Sequence, residues 1–143
     1  MSTLEAGPEQ MTRINADLDP KKLKRMHLFA ELREITMVPA SLQRSLRTRE
    51  PSDILKGIPK SFTLNKGHVS FFYNKQQFLI NRFIKLADEM ERRGYTPDRS
   101  RIVAFAGFDT MWNGTWTATA EDNAIVEERI NLRISQKPHL YKD

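Results

Sequence analysis

The sequence contains no cysteine, which removes disulfides, thiolate metal sites and cysteine nucleophiles together. Histidine is scarce: His27, His68 and His139 stand far apart, and their spacing suggests no metal site. No apolar run approaches the roughly 20 residues that a membrane-spanning helix needs, and the opening MSTLEAGPEQ lacks the basic start and apolar middle of a signal peptide. Gly-rich phosphate loops, HExxH pairs and GxSxG elbows are missing as well. These absences fit a reducing, intracellular compartment, cytosolic or nuclear, with no membrane. If the chain is an enzyme, its nucleophile is an amine, a hydroxyl or a carboxylate.

What is present is one domain's worth of chain, 143 residues, with an excess of bases. The formal net charge is +5, and the first eleven residues contribute only the acids Glu5 and Glu9; without them 23 bases face 16 acids. That excess favours a polyanionic partner, most economically nucleic acid. Residues 1–11 are small, polar and broken by Gly7 and Pro8, and read as a flexible extension outside the mature domain, which spans 12–143.

Along that domain the pattern is helical. Asp19-Pro20 supplies an N-cap and a first-turn proline, and KKLKRMHLFAELREI predicts a helix over Pro20–Ile35, with Leu23, Met26, Ala30 and Ile35 on one stripe. His27 and Glu34, seven residues apart, return to nearly the same side of it. A shorter helix is predicted over Pro39–Thr48, a long one from about His68 to Arg93, and a last one through Ser135 opened by the capping box TAED at Thr119–Asp122. Residues 50–66 and 95–118 read as connections, with a short extended piece at SFTL and a short strand at RIVAFAGF; Trp112 and Trp116 would pin the second to the helices. The fold class is therefore mostly α: a compact single domain of three main helices plus one short helix, with long irregular connections.

Two groupings carry candidate chemistry. Arg129, Arg133 and Lys137 recur every fourth residue, and further bases cluster at KKLKR (21–25) and RSLRTR (44–49); a solvated helix surface explains one such run, whereas several suit a surface that tracks phosphates. Glu34, beside Arg33, reads as a helix ion pair or as a carboxylate for acid, base or charge-stabilising work in a basic cleft. His27 alone reads more as a satisfied core histidine than as a catalyst.

Four motifs in order, MTRIN (11–15), HLFAELRE (27–34), GHVSFFYNKQQFL (67–79) and ISQKPHLYK (134–142), resemble the phage and algal-virus pyrimidine-dimer DNA glycosylases with AP lyase activity. The resemblance covers most of 11–142, with the first ten residues outside it and the 95–120 loop unlike it. It implies an enzyme, working as a monomer in the cytoplasm of a phage-infected or bacterial host, that incises duplex DNA at ultraviolet-induced cyclobutane dimers or abasic sites without metal or cofactor. By the same resemblance the nucleophile is the α-amine of Thr12, exposed once Met11 is removed, and the essential carboxylate is Glu34. Arg13, His27, Arg33, Arg129 and Arg133 would hold DNA, with Lys137 extending their row. Where relatives carry basic or aromatic residues, this chain has Met37 and Leu140.

The first eleven residues decide whether that chemistry is open. Left attached, they make the Thr12 nitrogen an amide. Either translation starts at Met11 or the extension is trimmed, or Lys21, Lys22 or the new terminal amine substitutes, or the chain binds duplex DNA without reacting. A helical scaffold whose charge is incidental is the remaining alternative.

Overall fold

Asp19 caps the chain as expected, accepting a hydrogen bond from the Lys21 N–H, but the helix it opens is a single 3-10 turn, Pro20–Lys22. Leu23 and Lys24 are extended, and α1 begins only at Arg25 and runs to Glu34. The expected start at Pro20 fails because the carbonyls that would continue the helix are used elsewhere: the Arg93 guanidinium donates to Pro20 at 3.2 Å and to Leu23 at 2.7 Å. The later start rephases the helix. Leu28, Glu31, Leu32 and Ile35 face the core, while Met26, expected on the apolar stripe, is 45% exposed.

The computed structural model describes residues 13–141, and among them six α-helices and no strand occur. After α1, α2 spans Met37–Thr48, α3 Pro51–Lys56, α4 His68–Phe71, α5 Gln76–Arg92 and α6 Ala120–Gln136. The mostly α reading holds. None of these helices is long and apolar enough to cross a membrane.

Helix α3 was not expected; Pro51 pre-sets its first turn, so the 50–66 connection is partly helical. SFTL joins no ladder among the described residues and sinks Phe62 and Leu64 into the core. The stretch RIVAFAGF is no strand either. Asp98 accepts from the Ser100 N–H and starts a 3-10 helix over Arg99–Phe105, which buries Phe105 and leaves Val103 71% exposed.

The predicted long helix from His68 to Arg93 is divided into α4 and α5. Lys75 Nζ donates to the Phe71 carbonyl at 2.8 Å, and Gln76 Nε2 donates to the Tyr73 carbonyl at 3.1 Å, so side chains occupy acceptors that an unbroken helix would need. The first free N–H groups of α5, Gln77 and Phe78, are met from outside by the Gly114 carbonyl at 3.1 and 3.3 Å. Gly114 also donates to the Asn74 carbonyl, and a Cβ on it would lie 2.5 Å from that oxygen, so only glycine fits there. Beside this splice Trp112 is buried, and Trp116 packs among Phe62, Phe71, Phe72 and Phe78 at centroid distances of 5.0–5.6 Å; both tryptophans are the anchors their sequence suggested.

Helix α5 is the spine. Phe78, Leu79, Phe83, Leu86 and Ala87 are buried along it and meet α1 with its Leu28 and Leu32, each large side chain contributing about 1.5–3 kcal/mol by leaving water. The capping box of α6 forms as predicted: Thr119 Oγ1 accepts from the Asp122 N–H, and Asp122 Oδ2 accepts from the Thr119 N–H. Val126 and Ile130 bury the inner face of α6.

Candidate active site

The segment 13–18 forms no helix, yet Ile14, Asn15, Ala16 and Leu18 are all buried. Its backbone polar groups must therefore find partners, and they find side chains from four helices. The Ile14 N–H donates to His68 Nε2 at 2.8 Å, from α4. Asn15 gives its backbone N–H and its Nδ2 to the two oxygens of Glu31 on α1, at 3.2 and 2.8 Å. The Leu18 carbonyl accepts from Arg82 on α5 at 2.6 Å. The Asp17 N–H donates to Asn123 Oδ1 on α6 at 3.0 Å.

Glu31 and Arg82 are the centre of this network. Arg82 Nε and Nη2 meet the two Glu31 oxygens at 2.8 and 3.0 Å, and neither side chain reaches solvent. Buried charges are tolerated only when paired and saturated with hydrogen bonds, which this pair achieves through Asn15 and Leu18. Ala16 adopts φ +51, a left-handed conformation that costs a non-glycine residue roughly 1 kcal/mol, and the surrounding bonds hold it there.

On the same side of α1, one turn beyond Glu31, stands Glu34, with 21% of its side chain exposed. Burial raises its pKa; Arg33, a hydrogen bond from the Arg13 backbone and the Arg13 charge pull it back, while Glu31 pushes in the direction of burial. The Arg33 guanidinium lies 3.8 Å from the carboxylate but is 64% exposed, so it faces both Glu34 and solvent. The Arg33 carbonyl accepts from Arg101 at 2.7 Å, and Arg101 also reaches Thr36 Oγ1 at 2.8 Å, which ties the 95–120 connection to the end of α1.

His27, one turn before Glu31, is half-buried rather than a satisfied core residue, and its buried Nδ1 meets no hydrogen-bond partner among the described residues. Its ring stacks flat on Tyr141 at 4.5 Å. Burial, then the charges of Arg129 and Arg133 on α6, lower its pKa to about 4, so the ring is neutral at pH 7. Arg129 acts on His68 as well, alongside Arg13.

The fold thus gathers Arg13, His27, Arg33, Glu34, Arg129 and Arg133 at one location. Lys137 stands at the C-cap of α6: its N–H still donates to the Arg133 carbonyl at 3.1 Å, and the helix ends there, at φ −139, ψ 61. Thr12 lies outside the described residues. Glu31, Arg82, Asn15 and His68 escaped the sequence reading, although a glutamate between Leu28 and Leu32 and an arginine beside Phe83 both sit on apolar stripes, the signal of a buried charged pair. Among the described residues no three His, Asp or Glu side chains gather as a cation site would require.

Chemically, the cluster offers a half-buried carboxylate with a raised pKa, next to the start of a tightly held segment and surrounded by guanidinium groups. Such a carboxylate can take up a proton or face a developing positive charge, and the arginines suit phosphates. A family model described as pyrimidine dimer DNA glycosylase matches residues 11–103, close to two thirds of the chain. The match includes Arg13, His27, Glu31, Arg33, Glu34, His68 and Arg82, and ends before α6.

Proposed function

Because this chain belongs to the pyrimidine dimer DNA glycosylase family, whose substrate is ultraviolet-damaged DNA, we propose that it both releases the damaged base and cuts the strand, using the α-amine of Thr12 as nucleophile. The observation that carries the proposal is the hydrogen bond from the Arg13 backbone to Glu34: the nitrogen beside this half-buried carboxylate is the nitrogen covalently bonded to residue 12. The start of the family match at Met11 supports the same point.

An α-amine has a pKa of about 8, against about 10.4 for lysine, so an appreciable fraction is neutral near pH 7, and nearby arginines lower it further. The neutral amine attacks C1′ of the 5′ nucleotide of the dimer. The glycosidic C1′–N bond breaks, and the departing base takes up a proton. The sugar ring then opens to an imine between Thr12 and C1′. That imine acidifies C2′; loss of a C2′ proton expels the 3′ phosphate and cuts the strand. Glu34, ionised, faces the positive charge that develops at C1′ and accepts a proton as the imine forms.

Arg13, Arg33, Arg129 and Arg133 hold phosphates on either side of the lesion, with neutral His27 lining the same surface. A duplex engaged this way must bend and surrender stacking at the dimer, where stacking is already weak. On this reading residues 12–143 are one repair domain that works as an intracellular monomer without metal or cofactor, and abasic sites enter the same pathway at the imine step.

The deciding experiment is intact-mass analysis of the protein from its own host together with borohydride trapping on an abasic-site duplex. A chain beginning at Thr12 that is trapped covalently supports the proposal. Salt-sensitive duplex binding without trapping would replace it with a non-catalytic DNA-binding protein.

A further inference from the structure

We propose that His68 is a positioning residue for this chemistry: by accepting the Ile14 N–H it fixes the backbone nitrogen of Arg13 relative to Glu34. The inference rests on the amine reading above, and it adds a residue that touches neither DNA nor the reacting atoms.

Both ring nitrogens of His68 are bound to backbone. The Thr63 carbonyl, at 2.7 Å from Nδ1, can only accept, so Nδ1 carries the proton; the Ile14 N–H, at 2.8 Å from Nε2, can only donate, so Nε2 presents a lone pair. One neutral tautomer satisfies both, and the ring is buried among Phe62 and Phe72, edge to face at 5.6 and 5.5 Å. Burial drives its pKa down to about 4, with Arg13 and Arg129 acting in the same direction against the Thr63 bond, so the acceptor persists at neutral pH. Gly67 sets the ring's entry: it caps α4 at φ +94, and a Cβ there would lie 2.8 Å from the Pro59 ring.

The placement of this bond is what makes it more than packing. Successive residues are gripped by different groups: Arg13 by Glu34, Ile14 by His68, Asn15 by Glu31. Over residues 13–15 the grips of Glu31 and Glu34 both come from α1, and His68 adds one from a separate helix; Arg82 and Asn123 hold the segment further along, at Leu18 and Asp17. Removing it loosens the Arg13 backbone with respect to the carboxylate, and a misplacement of about 1 Å at a reacting group lowers rates roughly a hundredfold.

Two substitutions separate position from stability, because each keeps one of the two bonds. His68→Gln places a carbonyl oxygen near the Nε2 position and retains the acceptor for Ile14. His68→Asn places an amide N–H near the Nδ1 position and retains the Thr63 bond while losing Ile14. The full-length protein and both variants are prepared identically, their termini read by intact mass, and borohydride trapping on an abasic-site duplex is followed under single-turnover conditions beside DNA affinity and thermal unfolding. The expected result is a trapping rate about 100-fold lower for His68→Asn at unchanged DNA affinity, with His68→Gln within about tenfold of the parent. Parent trapping that His68→Asn matches overturns the inference alone. A parent that is never trapped overturns the amine reading and the inference with it. Should His68→Asn fail to fold, nitrogen NMR of the parent decides: a protonated Nδ1 and bare Nε2 between pH 6 and 8 uphold the inference, and the opposite tautomer overturns it.

Discussion

Glu31 and Arg82 form a two-pronged ion pair with both side chains wholly withdrawn from water, and the same carboxylate also binds Asn15 through backbone and side chain. The pair is thus a core element and an anchor for the segment that leads to the site. Arg82→Met leaves the Glu31 charge buried with Asn15 alone, and an unfolding free energy lower by about 3–5 kcal/mol is expected in urea titrations. Glu31→Leu combined with Arg82→Met should regain much of that loss, since no orphaned charge remains. It should not regain activity on irradiated DNA, because Asn15 and the Leu18 carbonyl then lack their partners.

Glu34→Gln is expected to lower base release and imine trapping by about 10²–10⁴-fold while leaving duplex binding intact or tighter, since one charge that repels phosphates is gone. Its stability should move the other way. A carboxyl whose folded pKa lies above its unfolded value contributes stability at low pH that disappears as pH rises through the folded value, so at pH 7 the ionised Glu34 is a liability. A higher melting temperature for Glu34→Gln at pH 7, vanishing near pH 4, is the signature. In the parent, the acid limb of the activity profile should fall above the pH of an ordinary glutamate.

The opposite slope is expected from His68. Its pKa of about 4 in the folded protein lies below the ordinary 6.5, so between these values the unfolded chain takes up a proton that the folded one refuses. The stabilisation is complete above pH 6.5 and is lost as pH falls toward 4, by about 3 kcal/mol. His27, also lowered to about 4 but only half-buried, adds a smaller loss in the same window. Urea midpoints measured from pH 7.5 to 4 should decline across it, and His68→Gln should flatten the decline.

Arg129→Ala and Arg133→Ala should each weaken binding to damaged and undamaged duplexes alike, and each should reduce the slope of log affinity against log salt by about 0.9. Lys137→Ala, at the C-cap of α6, should reduce the slope by a similar amount if the row of bases continues on the DNA, and an unchanged slope removes Lys137 from it.

Gly114→Ala should destabilise the fold by about 1–3 kcal/mol in thermal or urea unfolding, because the new methyl group meets the Asn74 carbonyl oxygen at 2.5 Å and a backbone atom cannot swing aside as a flexible side chain would.

Helix content was legible because it rests on local signals. The capping box at Thr119 and Asp122 forms atom for atom, and the apolar spacing of 78–87 lies where 3.6 residues per turn puts it. Failures came where distant groups override local preference. Nothing near Pro20 announces that Arg93 will take its carbonyl, and nothing near Phe72 announces that Gly114 will cap α5. For the site, Arg13, His27, Arg33, Glu34, Arg129 and Arg133 were named from the sequence and are found together, whereas the supporting shell of His68, Glu31 and Arg82 was not. A histidine in GHVSFF reads as an ordinary helix residue until its two backbone partners, 54 residues upstream and 5 upstream, are known.

The bonds that hold residues 14–18 reach partners 16, 54, 64 and 106 positions further along the chain. The hydrogen bonds of this segment thus close over long loops, and such contacts form late. A growing chain halted before α6 would carry Glu34, His27 and His68 yet lack Asn123, Arg129 and Arg133. The segment 14–18 is therefore pinned in full only once α6 has folded against it, since its bond to Asn123 comes from that helix.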